Sequence, residues 1–262
     1  MNIQIKNFAK LQHLVEFKLI KHAGEHSRLN FTASIADDDE ASCPACAGKK
    51  ISAVTSDGIP IFFGRVESVE VERTVGSLHV KAACISLSVQ TDEKKFSRIF
   101  HNPDKKISDV LSKSRLALEE SNLILSENFA EKKYPQVLLQ NQETNFNFIK
   151  RLADEFGVRL WVTDTSATST IKIDDCLARG VRSIAPSRIL SIRRVKTAEL
   201  EKIFFASKSC FEFGSVVRFE SKSLAGEFVI VGLNMKVLSL ITNWKNFLNR
   251  RRKMTCPLRK KS

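Results

Sequence analysis

Few residues in this chain are spaced for chemistry. Cys43-Pro-Ala-Cys46 is the one close thiol pair among cysteines at 43, 46, 84, 176, 210 and 256. A structural zinc site takes four ligands, usually from two such pairs, and no second CxxC follows. A redox CxxC opens a helix after a buried strand. Here the pair lies between Asp37-Asp38-Asp39-Glu40 and Gly48-Lys49-Lys50, which reads as a loop between strands. Cys43 and Cys46 are therefore metal candidates by residue type alone, and the expectation is incidental loop cysteines with no metal and no cofactor. His22 and His26 are four apart but straddle Gly24 in a predicted hairpin, so they share no helical face. Residues 37–40 lack the spaced oxygen ligands and the glycine of a calcium loop and read as a solvated stretch. No GxSxG elbow, P-loop or GxGxxG occurs. The chain reads as a non-enzyme with no small-molecule substrate.

The elements that would position such residues are clearer. In Tyr134–Val162 a strand leads into Thr144, whose hydroxyl suits a helix N-cap. Phe148, Ile149, Leu152 and Phe156 recur at helical spacing. Gly157 stands where a helix end wants a left-handed residue, and Val158, Leu160 and Val162 alternate as a strand. Phe146, Phe148 and Phe156 read as core, and Glu143 suits the positive end of the helix. Upstream, residues 14–20, 29–35, 51–54, 59–73 and 78–90 are predicted antiparallel strands, with turns at Gly24, Gly58 and Gly76. Gly64, inside a strand, predicts a bulge or a tight bend. Five or six such strands predict a small closed barrel. A helix is expected from Ser108 to about Glu120, irregular or helical chain over 121–133, and further strands at 171–173, 188–196, 211–220 and 227–240.

At 262 residues the chain can hold one large domain or two ordinary ones. No apolar run approaches the ~20 residues needed to span a bilayer, and residues 1–17 contain no clean apolar core of a secretory signal. The expectation is a cytoplasmic protein with no membrane contact, unless it leaves within an assembled particle. The net charge is +13, but residues 245–262 hold eight basic residues and no acid. Subtracting those eight leaves +5 for the remaining 244 residues. The excess lies in a segment expected to be a disordered tail, in which Arg250, Arg251, Arg252 and Lys253 are candidate polyanion contacts.

The run QNQETNFNFIKRLADEFG closely resembles the segment Q-x-x-E-T/S-D-x-x-F-x-x-R-L-A-x-x-x-G of the VgrG-like, late-control family of tail-hub proteins. FSRIFHNPDKKISDVL, KHAGEHSRLNFTASI and IPIFFGRVESVEVER resemble three more family stretches, and together the four cover roughly residues 14–165. FEFGSVVRFESKSLAGEFVIVGLNMKV resembles a later family hairpin, although Phe213 stands for its proline and residues 234–236 for its histidine neighbourhood. The resemblance marks Arg98, Phe100, Gln140, Glu143, Thr144, Phe148, Arg151, Leu152 and Gly157 as structural motif positions. Arg151 would then supply an ion pair holding the helix on the barrel.

The implied fold is mainly β with an α/β insertion: two related small β-barrels joined by a helical α/β segment. The expected divisions are a first barrel over 1–100, the α/β segment over 101–165, a second barrel over 166–240 and the tail over 241–262. The implied function is a structural hub of a contractile phage tail or a type VI-like injection system. It would be a homotrimer joining a tube protein to a spike protein. The alternative is a basic nucleic-acid-binding protein acting through its Lys/Arg tail. Against it, no strand interleaves basic and aromatic residues as a stacking platform. A cell-wall hydrolase built on the α/β segment lacks the paired carboxylates or zinc pattern it would need.

Overall fold

A computed structural model describes residues 3–102, 104–113, 121–134, 137–174, 181–196, 201–207, 213–220, 227–238 and 252–260. The first strand-rich portion holds β1 (Ile3–Lys6), β2 (His13–His22), β3 (Arg28–Ile35), β4 (Lys50–Thr55), β5 (Pro60–Thr74) and β6 (Ser77–Ser86). Their order is β1-β4-β5-β6-β3-β2, every pair antiparallel. Period-two alternation makes the core face: Phe17 and Leu19 on β2, Leu29, Phe31 and Ala33 on β3, Val80, Ala82 and Cys84 on β6 are all buried. Gly24, Gly58 and Gly76 turn the chain at positive φ, which glycine adopts without steric cost.

Gly64 is not itself at a bulge. The register shifts along β5 lie between Pro60 and Phe62 and between Val66 and Ser68, on either side of the glycine. A Cβ on Gly64 would stand 2.3 Å from the Ile85 carbonyl oxygen and 2.5 Å from the Phe62 ring. The glycine permits a close approach of backbone and ring.

β7 (Lys95–Phe100) leaves this sheet, although the sequence division at 100 placed it in the first barrel. It pairs with β9 (Leu138–Thr144) in a two-stranded ribbon. α1 (Ile107–Lys113), β8 (Ser121–Leu125), α2 (Glu127–Ala130), α3 (Asn145–Glu155), β10 (Arg159–Thr163) and β11 (Ser169–Asp174) complete the insertion. Residues 121–125, expected to be irregular or helical, form a strand because β11 pairs with them in parallel. That partner lies far along the chain, where local periodicity carries no trace of it. A separate apolar core gathers Ile107, Leu111, Phe129, Leu138, Phe148, Ile149, Leu152 and Ile171.

The second strand-rich portion holds β12 (Val181–Ile184), β13 (Ile189–Lys196), β14 (Glu201–Ser207), β15 (Val216–Phe219), β16 (Glu227–Ile230), β17 (Gly232–Leu238) and β18 (Arg252–Lys260). β17 pairs with β2 from Gly232↔His22 to Leu238↔Glu16, which joins both portions into one 13-stranded sheet. Phe17, Leu29 and Phe31 share a core with Phe205, Phe219, Phe228 and Ile230. The tail expected to be disordered from 241 onward is corrected over Arg252–Lys260, which pair as β18 with β14, β16 and β17. Met254, Cys256 and Leu258 alternate there with Lys253, Thr255 and Arg259, a period-two pattern hidden beneath the charge. No helix among the described residues is long and apolar enough to cross a membrane.

Gly64→Ala is expected to cost about 1–3 kcal/mol of stability or more, because a rigid carbonyl must move to admit the methyl. Thermal unfolding beside the wild type measures this; an unchanged midpoint would show that β6 yields freely.

Candidate functional site

The motif residues meet where the β7–β9 ribbon runs into α3. Thr144 caps α3, its Oγ1 accepting from the Asn147 N–H at 3.2 Å. Arg98 Nη1 donates to Gln140 Oε1 at 3.2 Å and to Asn145 Oδ1 at 3.1 Å. Gln140, fully buried, returns its amide to the Glu143 carbonyl at 3.0 Å. This lock fixes the start of the helix on the ribbon. Arg151 reaches back along α3: Nε donates to Glu143 Oε1 at 3.3 Å and Nη2 to Glu143 Oε2 at 3.0 Å. It also donates to Glu155 Oε1 at 3.1 Å and to the Leu139 carbonyl at 2.7 Å. Arg151 therefore ties α3 to β9, not to the barrel as expected, and Glu143 serves this pair. Phe148 stacks on Phe100 at 5.7 Å, and Phe148 and Leu152 are buried. Gly157 ends the helix turn at φ +69°.

Cys43 and Cys46 are not on an exposed loop. Residues 37–46 wind as two short 3-10 turns that bury both thiols. Cys43 donates to the Asp39 carbonyl at 3.4 Å and Cys46 to the Ser42 carbonyl at 3.6 Å. Burial pushes the Cys43 thiol up, and the Cys46, Asp39 and Glu40 charges push the same way. Among the described residues no three His, Cys, Asp or Glu side chains gather as metal ligands. Arg252 and Lys253 lie in β18, while Arg250 and Arg251 fall outside the described residues.

A second polar group, invisible to the spacing argument, joins the insertion to the sheet. Asp164, just beyond β10, is fully buried. Its Oδ1 accepts from Ser86 Oγ at 2.5 Å and Ser169 Oγ at 3.1 Å, and Lys21 Nζ stands 3.9 Å from its Oδ2. Burial pushes the Lys21 ammonium down, opposed by the Asp164 charge. Ser86 Oγ lies 2.7 Å from Ser88 Oγ, which lies 2.7 Å from His26 Nδ1. His26 Nε2 is 2.9 Å from Asp92 Oδ2, and Asp92 Oδ1 accepts from the cap residue Thr144. The chain of contacts thus runs from Lys21 in β2 to the first turn of α3. Burial opposes the charge on Asp92, but hydrogen bonds from His26 and Thr144, with the charges of His26 and Lys150, outweigh it and hold the carboxyl below its usual range. Spacing brought His26 forward only as a metal-type histidine. Its partners Ser88 and Asp92 are 62 and 66 residues away, and no local period marks them. This arrangement can orient one layer on another. Ser88, His26 and Asp92 follow one another in hydrogen-bonding order, but Ser88 is fully buried, so its hydroxyl is not presented to a substrate.

No protein-family model and no curated protein matches the chain. Solved structures do. The E. coli c3393 protein, described as a type VI secretion component with structural similarity to the T4 bacteriophage tail proteins gp27 and gp5, superposes with TM-score 0.73 at 11% identity, over 100% of this chain and 77% of that one. The 43 kDa tail protein of prophage MuSo2 from Shewanella oneidensis gives TM-score 0.72 at 10% identity, over 98% and 97%. A chain of the Francisella PdpA–VgrG complex gives 0.57 at 12%, over 98% of this chain and 57% of that one. At these identities the likeness is one of fold. The chain has the mainly β fold of phage-tail and type VI secretion proteins, in line with the VgrG-like resemblance read from its motifs.

Asp92→Asn keeps the shape and removes the charge. A lost charged hydrogen bond is expected to cost about 1.5–3 kcal/mol near neutral pH. Because the folded-state pKa is depressed, wild-type stabilisation is complete above the ordinary carboxylate value of ~3.9 and fades as pH falls through the lower folded value. Denaturant unfolding from pH 7 to pH 2 should show the gap closing at the acid end; a constant gap would contradict the assignment.

Proposed function

We propose that the chain is a structural hub component of a contractile phage tail or injection system. Similarity along the whole chain to tail and type VI secretion structures carries this reading, and the ordered motifs between residues 14 and 165 support it independently. In this reading the protein works through its surfaces, one toward a tube protein and one toward a spike protein, and performs no catalysis. Its buried and half-buried polar groups act in packing: Arg98, Gln140 and Asn145 lock a helix start, while Lys21, Asp164, His26 and Asp92 hold the insertion to the sheet. Two strand-rich portions in each chain would let three copies present six similar units, which matches a threefold spike to a sixfold tube. The protein would then reside in the cytoplasm and in the assembled particle.

Light scattering during size exclusion in high salt tests the assembly. A mass near three times the 29.5 kDa chain is expected. A monomer at every concentration would remove self-trimerisation from the reading.

A further inference from the structure

Within one chain the two strand-rich portions meet edge to edge, through β2 and β17. Each has another edge that no described strand covers. On the first portion β4 stops pairing with β5 at Lys50↔Arg65, and only Lys49 and Gly48 reach as far as Val66. Residues 67–74 of β5 then pair with β6 alone. On the second portion β13 pairs, among the described strands, with β14 alone. Its Leu190, Ile192 and Val195 are 50%, 42% and 37% exposed, a high toll for a strand with no partner beyond β14.

The two open edges are alike in length and opposite in charge. Both β13 and the far part of β5 run for eight residues. Residues 181–196 hold Arg182, Arg188, Arg193, Arg194 and Lys196 with no acid. Residues 67–74 hold Glu67, Glu70 and Glu72 against Arg73. Among the described edge strands β1, β7, β10 and β12 carry basic residues and β8 no charge, while the single glutamate of β9, Glu143, is held by Arg151; the far part of β5 carries three glutamates. The existing partners of these glutamates are surface pairs, Arg28 with Glu67 at 3.2 Å and Lys81 with both Glu70 at 3.7 Å and Glu72 at 2.5 Å. Such pairs contribute little and can be shared with a new cation.

We propose that β13 of one copy adds to residues 67–74 of β5 in the next, which rests on the trimer reading above. Antiparallel pairing over the full eight residues sets Arg193 opposite Glu70 and Lys196 opposite Glu67, and opposite charges across a ladder stabilise it. Parallel pairing sets the apolar Ile189 and Ile192 opposite Glu67 and Glu70 instead. Each chain carries one edge of each kind, so the contact is head-to-tail and closes into a ring where the rotation allows. Junctions between copies would then alternate with the β2–β17 junctions within them.

The test compares solution mass across charge reversals in the full chain. Arg193→Glu with Lys196→Glu should reduce the trimer to the 29.5 kDa monomer. Adding Glu67→Lys and Glu70→Lys to that chain should restore the trimer, since both edges are then reversed together. Circular dichroism reports whether each variant folds. Where a reversed chain does not fold, Ser191→Cys with Glu72→Cys in the otherwise wild-type protein decides: opposed Cα atoms lie about 5 Å apart in such a ladder, within disulfide reach, so oxidation should give dimer and trimer bands. A trimer indifferent to the first reversal, or no cross-linked band, overturns the edge pairing and leaves the trimer standing. A wild type that is monomeric at all concentrations overturns both.

Discussion

The β2–β17 ladder is the constraint on which the rest of the molecule depends. It joins strands more than two hundred residues apart and turns two curved strand groups into one sheet. Closing so long a loop is entropically costly, though the cost grows only slowly with length. The apolar faces of both portions offset it by sharing one core. At the end of this ladder the insertion is attached. The Ala23 N–H donates to Val231 at 2.8 Å, and the next residue, Gly24, donates to Leu160 of β10 at 2.7 Å. One tight turn thus touches the first portion, the second portion and the α/β unit in consecutive residues. The left-handed Gly24, with Lys150 packed 3.2 Å from where its Cβ would be, makes that approach possible.

The buried polar chain beside this turn has a different physical character. Lys21 and Asp164 both lie out of water, and taking two charges from solvent costs several kcal/mol per ion before attraction returns any of it. An apolar pair of similar volume would serve stability as well. A charged pair with two serine donors instead penalises every arrangement in which the layers slip, because slippage leaves a buried charge unmatched. Trp161 adds a directional contact, its Nε1 donating to the Asp174 carbonyl at 2.8 Å while its ring meets Phe213 edge-on at 5.2 Å. The junction favours a fixed orientation more than strength.

Elements with a local signature were legible in the sequence. Thr144, the Phe148–Ile149–Leu152 stripe and Gly157 announced α3 because cap, period and end all agree within one stretch. The alternation of β2, β3 and β6 announced strands for the same reason. Features fixed by distant partners were not legible. β8 reads as an ambiguous apolar run until β11 lies beside it. Met254, Cys256 and Leu258 were hidden under a charge run. The junction was the least visible part, because Lys21, His26, Asp92 and Asp164 are scattered between residues 21 and 164, two of them in connections, and each alone looks like an ordinary polar residue. The motif positions fared better: Arg98, Gln140, Glu143, Thr144 and Arg151 all lie in one contact network, although Arg151 binds β9 and not the barrel.

The strand edges follow one logic. An unpaired edge is a template for another chain, and proteins blunt the edges they do not use. β9 is blunted: the Arg151 guanidinium occupies the Leu139 carbonyl, and Glu143 and Glu155 hold it there. Gln142 adds a kink at φ +50°, its N–H turned to Ser97 Oγ. The motif that most resembles a family signature therefore also closes an edge. For β13 and the far part of β5, no described strand lies on the outer side. Both run for eight residues, β13 carries exposed apolar side chains, and the charges on the two are of opposite sign. A chain with one edge closed by an arginine and two glutamates, and two edges of opposite charge that no described strand covers, would have the asymmetry that assembly in one direction needs.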